Sequence, residues 1–216
     1  NWFKKAKFGI YAHWGIYSVP AAGPNVTWYP YWMYRPPSPQ FDYHCKHYGH
    51  PSKFGYKDFI PMFTAEKFNA EEWADLYYRS GAKFAGPVAE HHDGFPMWNC
   101  SDTEWCASKM GPKRDIVGEL EKAIRNKGMK YMVAMHHAEN WFFFPHWNND
   151  FDTSKKEYES LYGELHNLDL IGNQAVYPDH WGRKNEHQDK PSKAFHDRWL
   201  NSCLLYTSDA ADDLWC

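Results

Sequence analysis

The feature of this sequence that most constrains its fold is an alternation of short apolar segments with amphipathic ones. Segments 7–12, 84–89 and 129–135 have the length and composition of β-strands, and helices are predicted over 69–81 and 115–127. Strands that alternate with helices favour a parallel sheet joined by right-handed crossovers. The sequence therefore predicts an α/β fold.

Both predicted helices carry their own start and stop residues. Asn69 is followed three residues later by Glu72, a capping box, and Asp115 holds the N-cap position of the second helix. Gly81 and Gly128 end the two helices. Each helix is expected to bury one apolar stripe. The stripes are Trp73, Leu76 and Tyr77 in the first helix, and Ile116, Leu120, Ala123 and Ile124 in the second.

Histidines follow all three predicted strands. They are His13 after the first strand, His91 and His92 after the second, and His136 and His137 after the third. Any one of them could be a structural residue with satisfied hydrogen bonds. The carboxyl ends of parallel strands converge on one face of an α/β barrel, where active sites are built. We therefore expect the imidazoles to meet in one pocket.

A cluster of imidazoles has two chemical uses. It could ligate zinc or manganese, as in metal-dependent hydrolases, or it could hydrogen-bond the hydroxyl groups of a small polar substrate. Tryptophans within a few residues of the histidines favour a sugar, whose C–H faces stack on aromatic rings. These tryptophans are Trp14, Trp98 and Trp141, and Trp28 lies in the segment that follows His13. A separate group, formed by His44, Cys45, His47 and His50, has metal-ligand residue types but the spacing of no standard zinc finger.

Composition narrows the function classes. The net charge of -3, without a basic block, argues against a nucleic-acid partner. The sequence contains no apolar run of about 18 residues, so no membrane span is expected. The segment 17–61 is rich in Pro, Tyr, Trp and Gly, which predicts a long structured loop with a functional role. Among the five cysteines, Cys100 and Cys106 are candidates for one disulfide, and the others are expected to be free thiols.

Four longer motifs together resemble the α-L-fucosidases of glycoside hydrolase family 29. They are AKFGIYAHWGIYSVPA at 6–21, YKDFIPMFTAEKFNAEEWADLYYRSGAKFA at 56–85, EHHDGFPMW at 90–98 and ASKMGPKRDIVGEL at 107–120. The resemblance covers about residues 2–200. It implies a (β/α)8 barrel, retention of configuration by an aspartate nucleophile and a separate acid/base, no cofactor or metal, and fucosylated glycans as partners. A secreted, periplasmic or lysosomal location is also implied.

Carried over by position, the resemblance implies that His13, Trp28, His91 and His92 contact fucose. His136, His137 and Trp141 fall where the family has a wall of aromatic or histidine side chains. Thr27 departs from the pattern, because many members carry glutamate immediately before the tryptophan that matches Trp28. The resemblance therefore implies that an acid role at this position is empty here.

The carboxylates near the histidines are candidates by location only. We expect Asp93 to order its own loop and Glu90 to orient an imidazole, and we assign no catalytic role to either of them or to Glu139. Arg114 is expected to anchor a loop.

Only three of the eight strands of a barrel are clearly visible, so we expect the N-terminal part of a (β/α)8-type barrel, which is incomplete. Residues 1–201 are interpreted as this portion and 202–216, where the pattern changes abruptly, as a non-native tail. The nucleophile and acid/base are then expected beyond the end of the chain, and the fragment is expected to be inactive. A metal-dependent barrel hydrolase and a non-catalytic sugar-binding relative remain as alternatives.

Overall fold

A computed structural model describes residues 2–146, 148–165 and 191–207 of the chain. Its sheet consists of β1 (Gly9–Ala12), β2 (Phe84–Glu90), β3 (Lys130–Tyr131) and β4 (Ala134–Met135). All pairings are parallel, in the order β1-β2-β3, and β4 also pairs with β2. The predicted α/β class and the parallel sheet are confirmed, and strands that follow each other in sequence lie side by side.

The third predicted strand is divided into β3 and β4 for a reason that lies in β2. Pro87 has no N–H to donate to a neighbouring strand, and it lies between the two residues of β2, Ala85 and Val88, that flank the interruption. The carbonyl of Met132 passes over Gly86 so closely that any Cβ there would overlap its oxygen. The strand predicted over 129–135 is therefore divided. Gly86 and Pro87 of the neighbouring β2 interrupt its ladder of backbone hydrogen bonds.

The described residues contain eight α-helices, besides short 3-10 helices. They are α1 (Trp2–Ala6), α2 (Tyr29–Trp32), α3 (Pro39–His47), α4 (Ala70–Arg79), α5 (Ile116–Asn126), α6 (Asn140–Phe143), α7 (Glu159–Tyr162) and α8 (Lys193–Thr207). α4 packs against α5, and α5 packs on β2 and β3. The order β1, α4, β2, α5, β3 is the predicted alternation.

The predicted N-caps of α4 and α5 are confirmed, but the capping box of α4 is not, because the Glu72 carboxylate accepts from the side-chain amide of Asn69 where a capping box would use its backbone N–H. The side chain of Asn69 accepts hydrogen bonds from the two backbone N–H groups of Glu71 and Glu72, and that of Asp115 accepts one from Gly118. All four residues of the predicted α5 stripe are buried. The stripe predicted for α4 was wrong at Leu76, which is 55% exposed. Small side chains face α5 instead, and the buried residues of α4 are Ala70, Ala74 and Tyr77.

The segment 17–61, which was predicted as a long structured loop, contains helices α2 and α3 and several short 3-10 turns. Ser38 caps α3 by accepting a hydrogen bond from the N–H of Phe41 at 3.0 Å, and Pro39 occupies the first turn. Much of the high aromatic content is core. The largest fully buried rings include Tyr29, Tyr34, Tyr56, Phe59, Phe144 and Tyr162.

A buried polar cluster joins this segment to residues 140–165. The carboxylate of Asp152 accepts hydrogen bonds from the hydroxyls of Tyr34 at 2.8 Å and Tyr162 at 2.6 Å. The Tyr34 hydroxyl in turn accepts from the backbone N–H of Tyr56 at 2.7 Å. The cluster fixes two long non-sheet segments to one another, and nothing in the sequence pattern pointed to it.

Three smaller predictions can be compared with the structure. Cys100 and Cys106 are both free, so the candidate disulfide was wrong. Helix α8 runs without a break through 201 and 202 to Thr207, while 208–216 lie outside the described residues, so the proposed tail remains a prediction. Across the described part of the chain, no helix combines the length and apolar character needed to cross a membrane.

Candidate active site

The carboxyl ends of the strands bring four of the predicted histidines together. Pairing of Ala12 with Pro87 places the end of β1 beside β2, so His13 lies next to His91. The ring centres of His13, His91 and His136 are 5.6, 5.4 and 5.1 Å apart, which is close to an equilateral triangle. His92 lies 4.4 Å from His91 and stacks on His136 at 5.0 Å. Three segments distant in sequence thus share one cluster.

A tyrosine that the sequence analysis missed belongs to the same cluster. The Tyr11 hydroxyl lies 2.7 Å from Nε2 of His136 and 3.5 Å from Nε2 of His13. Burial raises the pKa of Tyr11 to about 12, so the phenol is neutral and can donate its proton to His136. Side chains two apart on a strand share a face, and this spacing from His13 was the available signal.

An aromatic wall stands beside the imidazoles. The Trp28 ring lies 5.1 Å from His92 and 5.4 Å from Phe143, in edge-to-face contact with both. Nδ1 of His92 donates to the backbone carbonyl of His136 at 2.8 Å, which holds the ring in place. The site therefore combines an apolar surface with several polar ring nitrogens. Phe143 was another contributor that the sequence pattern did not reveal.

His137 and Trp141 do not join this cluster. A short 3-10 helix begins at His137, so its ring leaves the direction of His136, and its Nδ1 lies 2.6 Å from the Glu90 carboxylate. Its ring stacks on Phe195 of α8 at 4.7 Å, and Trp141 contacts the same Phe195 at 5.4 Å. His137 and Phe195 line a separate cleft of about 410 Å³. The structure places these two predicted site residues on the side facing α8.

The other two tryptophans near the histidines pack in the hydrophobic core. Trp14 packs against Phe63, Phe68 and Trp73, and Trp98 is a buried core residue. Of the four tryptophans, Trp28 alone contacts a cluster histidine through a described ring contact. Proximity in sequence was therefore a weaker guide than strand position.

Two carboxylates near the cluster have partners of their own. Burial raises the pKa of Glu90, but the charge and hydrogen bond of His137, with Arg198 nearby, outweigh it, and the net shift is downward. Burial raises the pKa of Asp93 to about 7, although its oxygens accept from the Tyr56 hydroxyl at 2.7 Å and the Phe95 N–H at 3.2 Å. The expected roles, an oriented imidazole for Glu90 and an ordered loop for Asp93, match these contacts.

The imidazoles of His13, His91 and His136 are neutral near pH 7. Burial lowers the pKa of His91 most strongly, and the neighbouring His92, His136 and His13 lower it further. Burial and the charges of His92 and His13 lower the pKa of His136 to about 4, and burial lowers the pKa of His13. Each neutral ring offers one donor and one acceptor nitrogen, which suits hydroxyl groups better than anions.

The second histidine group has a structural explanation. His44 is fully buried, with Nδ1 2.9 Å from the Tyr29 hydroxyl and Nε2 2.8 Å from the Phe54 carbonyl. His47 packs on Tyr43 at 4.2 Å, outside any shared arrangement of ligands. Within the described residues, the one group whose donor atoms all lie within 4.8 Å of each other is His13, His91 and His136. Elsewhere, the expected loop anchor is confirmed, since Arg114 donates to the carboxylate of Glu119 and to the carbonyl of Phe68.

Comparison with known proteins agrees with this geometry. The family model for α-L-fucosidase matches residues 1–211. Human tissue α-L-fucosidase is 35% identical over 226 residues, covering 95% of this chain and 47% of the relative, and human plasma α-L-fucosidase is 46% identical over 142 residues, covering 65% and 30%. A Thermotoga maritima α-fucosidase in complex with a mechanism-based inhibitor superposes with a TM-score of 0.73 at 32% identity, covering 99% of this chain and 45% of that one.

A parallel α/β sheet whose strand ends carry imidazoles beside an aromatic ring is an arrangement able to bind a small polar ligand. The family match makes this assignment specific. The chain belongs to the α-L-fucosidase family. It spans about half the length of the tissue-type relatives that it matches.

Proposed function

We propose that this chain supplies the sugar-binding half of an α-L-fucosidase, an enzyme that hydrolyses terminal α-L-fucosides of glycans with retention of configuration. The observation that carries the proposal is the convergence of His13, His91, His92 and His136 beside Trp28. A Thermotoga maritima α-fucosidase solved in complex with fucose is 45% identical over 62% of this chain, with a TM-score of 0.60 and 33% of that chain covered. The likeness supports fucose as the sugar.

The two surfaces of the site suit the two faces of a deoxy-hexose. Fucose has a methyl group and C–H bonds on one side, and the half-buried ring of Trp28, which packs on the buried Phe143, offers flat apolar area for them. Its hydroxyls each donate and accept a hydrogen bond, and the neutral imidazoles do the same. His137 and Trp141, which face α8, contribute to this binding only indirectly, through the Glu90 contact and the packing behind the cluster.

The sheet itself is proposed to be the first part of a (β/α)8 barrel. In support, consecutive strands are neighbours, all are parallel, and helices α4 and α5 lie between them in the chain. In such a barrel the strand ends seen here form one sector of the active-site face. The remaining sectors would come from the part of the relatives that this chain does not span.

The catalytic carboxylates are proposed to lie in that remaining part. Retaining hydrolysis uses two carboxyl groups about 5–5.5 Å apart. Glu90 is fully buried against His137, and Asp93 is buried against Tyr56, so neither is free to attack a sugar. Glu139 lies close enough to act electrostatically on His136, but it has no second carboxylate partner in the described cluster. The residues of this chain are proposed to bind and orient the sugar.

Titration of the chain with L-fucose tests the binding role. Trp28→Ala is expected to weaken binding roughly tenfold because it removes the stacking surface, and His92→Ala roughly threefold to tenfold because it removes one hydrogen bond. His47→Ala is the matched control, since His47 is an exposed histidine outside the cluster. Equal affinity in all three variants would refute the assignment.

Turnover of an aryl α-L-fucoside tests where the catalysis resides. The 216-residue chain is expected to give none, and a longer chain of the full family length is expected to be active. Hydrolysis by the short chain would contradict the placement of the carboxylates. Fucose binding by the long chain without hydrolysis would identify a sugar-binding protein instead of an enzyme.

A further inference from the structure

The histidine triangle has a second chemical capacity besides hydrogen bonding to a sugar. We propose that His13, His91 and His136 form a binding site for a zinc ion, with one imidazole nitrogen from each strand end. This inference goes beyond fucoside hydrolysis, and the ion is not a cofactor of that reaction. It occupies the same cluster as an alternative ligand.

The spacing of the rings supports the site. With Zn–N bonds of 2.0–2.1 Å, three imidazoles in a tetrahedral arrangement place their ring centres about 5.2 Å apart. The measured separations are 5.6, 5.4 and 5.1 Å. One nitrogen from each of the three rings lies within 4.8 Å of those of the other two. We expect rotation of the rings to bring these nitrogens to coordination distance.

Unsatisfied ring nitrogens point to a missing partner. Nδ1 of His91 and Nδ1 of His136 are buried without a hydrogen-bond partner among the described atoms. His91 itself is only 4% exposed. Buried polar atoms in native proteins are nearly always paired with protein, water or a ligand. A cation that accepts a nitrogen lone pair removes part of this deficit, whereas the buried Nδ1 of His137 already has the Glu90 carboxylate.

The surroundings leave the cluster open for an ion. His13 is exposed and His136 is half-buried, so zinc reaches them from solvent. The Tyr11 hydroxyl, 2.7 Å from Nε2 of His136, holds that ring by its other nitrogen and leaves Nδ1 to the ion. Three histidines on three different segments hold a fixed geometry, and the fourth position is then taken by water, as in zinc sites with three protein ligands.

Cobalt(II) and zinc titrations of the 216-residue chain test the site. One Co²⁺ per chain is expected, with the visible absorption of tetrahedral cobalt, and Zn²⁺ is expected to displace it. His13→Ala and His136→Ala are expected to weaken zinc binding at least tenfold. His47→Ala and His50→Ala change exposed histidines outside the triangle and are expected to leave the affinity unchanged.

Two results would overturn the proposal. One is a wild-type chain that takes up no stoichiometric zinc, and the other is a His13→Ala variant that binds zinc as tightly as the wild type. Because His13 is exposed, its variant is the one expected to fold, and near-ultraviolet circular dichroism checks this. As a second measurement on the unmutated chain, zinc is expected to shift the NMR ring signals of His13, His91 and His136, but not that of His47. Absence of those shifts would also exclude the site. Fucose binding is measured without zinc, so the two proposals fail independently.

Discussion

The role of a side chain in this protein depends on the contacts around it more than on its residue type. His136 and His137 are neighbours in sequence, yet one meets Tyr11 in the cluster and the other meets Glu90 and Phe195. The start of a 3-10 helix at His137 separates them. The paired histidines predicted the cluster, but the pattern did not say that both members of the pair 91–92 and only one of the pair 136–137 would join it.

Asp93 shows how burial converts a carboxylate into a pH-sensitive residue. Its pKa is about 7 in the folded protein, because burial and the nearby Glu90 outweigh the hydrogen bonds from Tyr56 and Phe95. The unfolded value is near 3.9. Between these two pKa values, the folded state keeps a proton that the unfolded state has lost. The free energy of unfolding therefore falls as the pH rises through this range.

We expect Asp93→Asn to remove this decline. Between pH 5 and pH 8 the stability of the variant relative to the wild type is expected to rise by about 2–3 kcal/mol, since each pKa unit corresponds to about 1.4 kcal/mol. Urea unfolding at the two pH values measures the change. Asp102→Asn, which alters an exposed aspartate, should show no such rise. A constant difference between Asp93→Asn and wild type would contradict the assignment.

At the scale of helices and strands, local chemistry was predictable and tertiary contact was not. The caps of α4 and α5 and the three strand ends followed from the sequence, because each depends on residues close together in the chain. The division of the third strand depends on Pro87 and Gly86 of its partner, and the exposed position of Leu76 depends on how α4 meets α5. Neither is visible in a window of neighbouring residues. The Ser38 cap of α3 was a local signal that could have been used.

Gly86→Ala is expected to disrupt the junction of β2 with β3. A Cβ at this position overlaps the backbone carbonyl of Met132. Because a backbone group cannot move as a side chain does, we expect the free energy of unfolding to fall by about 3 kcal/mol or more. The amide of Met132, which donates to Ala85 at 3.0 Å, should exchange its hydrogen faster.

Gly49→Ala provides the control for this effect. Gly49 has a φ of +95° and no atom within 4 Å of an added Cβ, so only backbone strain of about 1–2 kcal/mol is expected there. The exchange of Met132 should stay unchanged in that variant. Similar exchange in both variants would show that Gly86 is not required by the close approach of the third strand.

For the molecule as a whole, the sheet has two open sides among the described residues. β1 pairs only with β2, and β3 and β4 also pair only with β2. Unpaired strand edges are sites of intermolecular pairing. Phe8 immediately precedes β1 and is 47% exposed. An open edge with an exposed aromatic ring beside it favours contact between copies of the chain.

The 216-residue chain is therefore expected to self-associate through the β1 edge. Its mass by light scattering should rise with concentration, and Phe8→Lys should lower that rise, because a charged side chain beside the edge opposes strand pairing. Leu76→Lys is the matched control: it removes an even more exposed apolar side chain, at 55%, but from the surface of α4, so association should persist. If both variants reduced association equally, general surface hydrophobicity would be the cause. If the wild type stayed monomeric at every concentration, the prediction would be wrong.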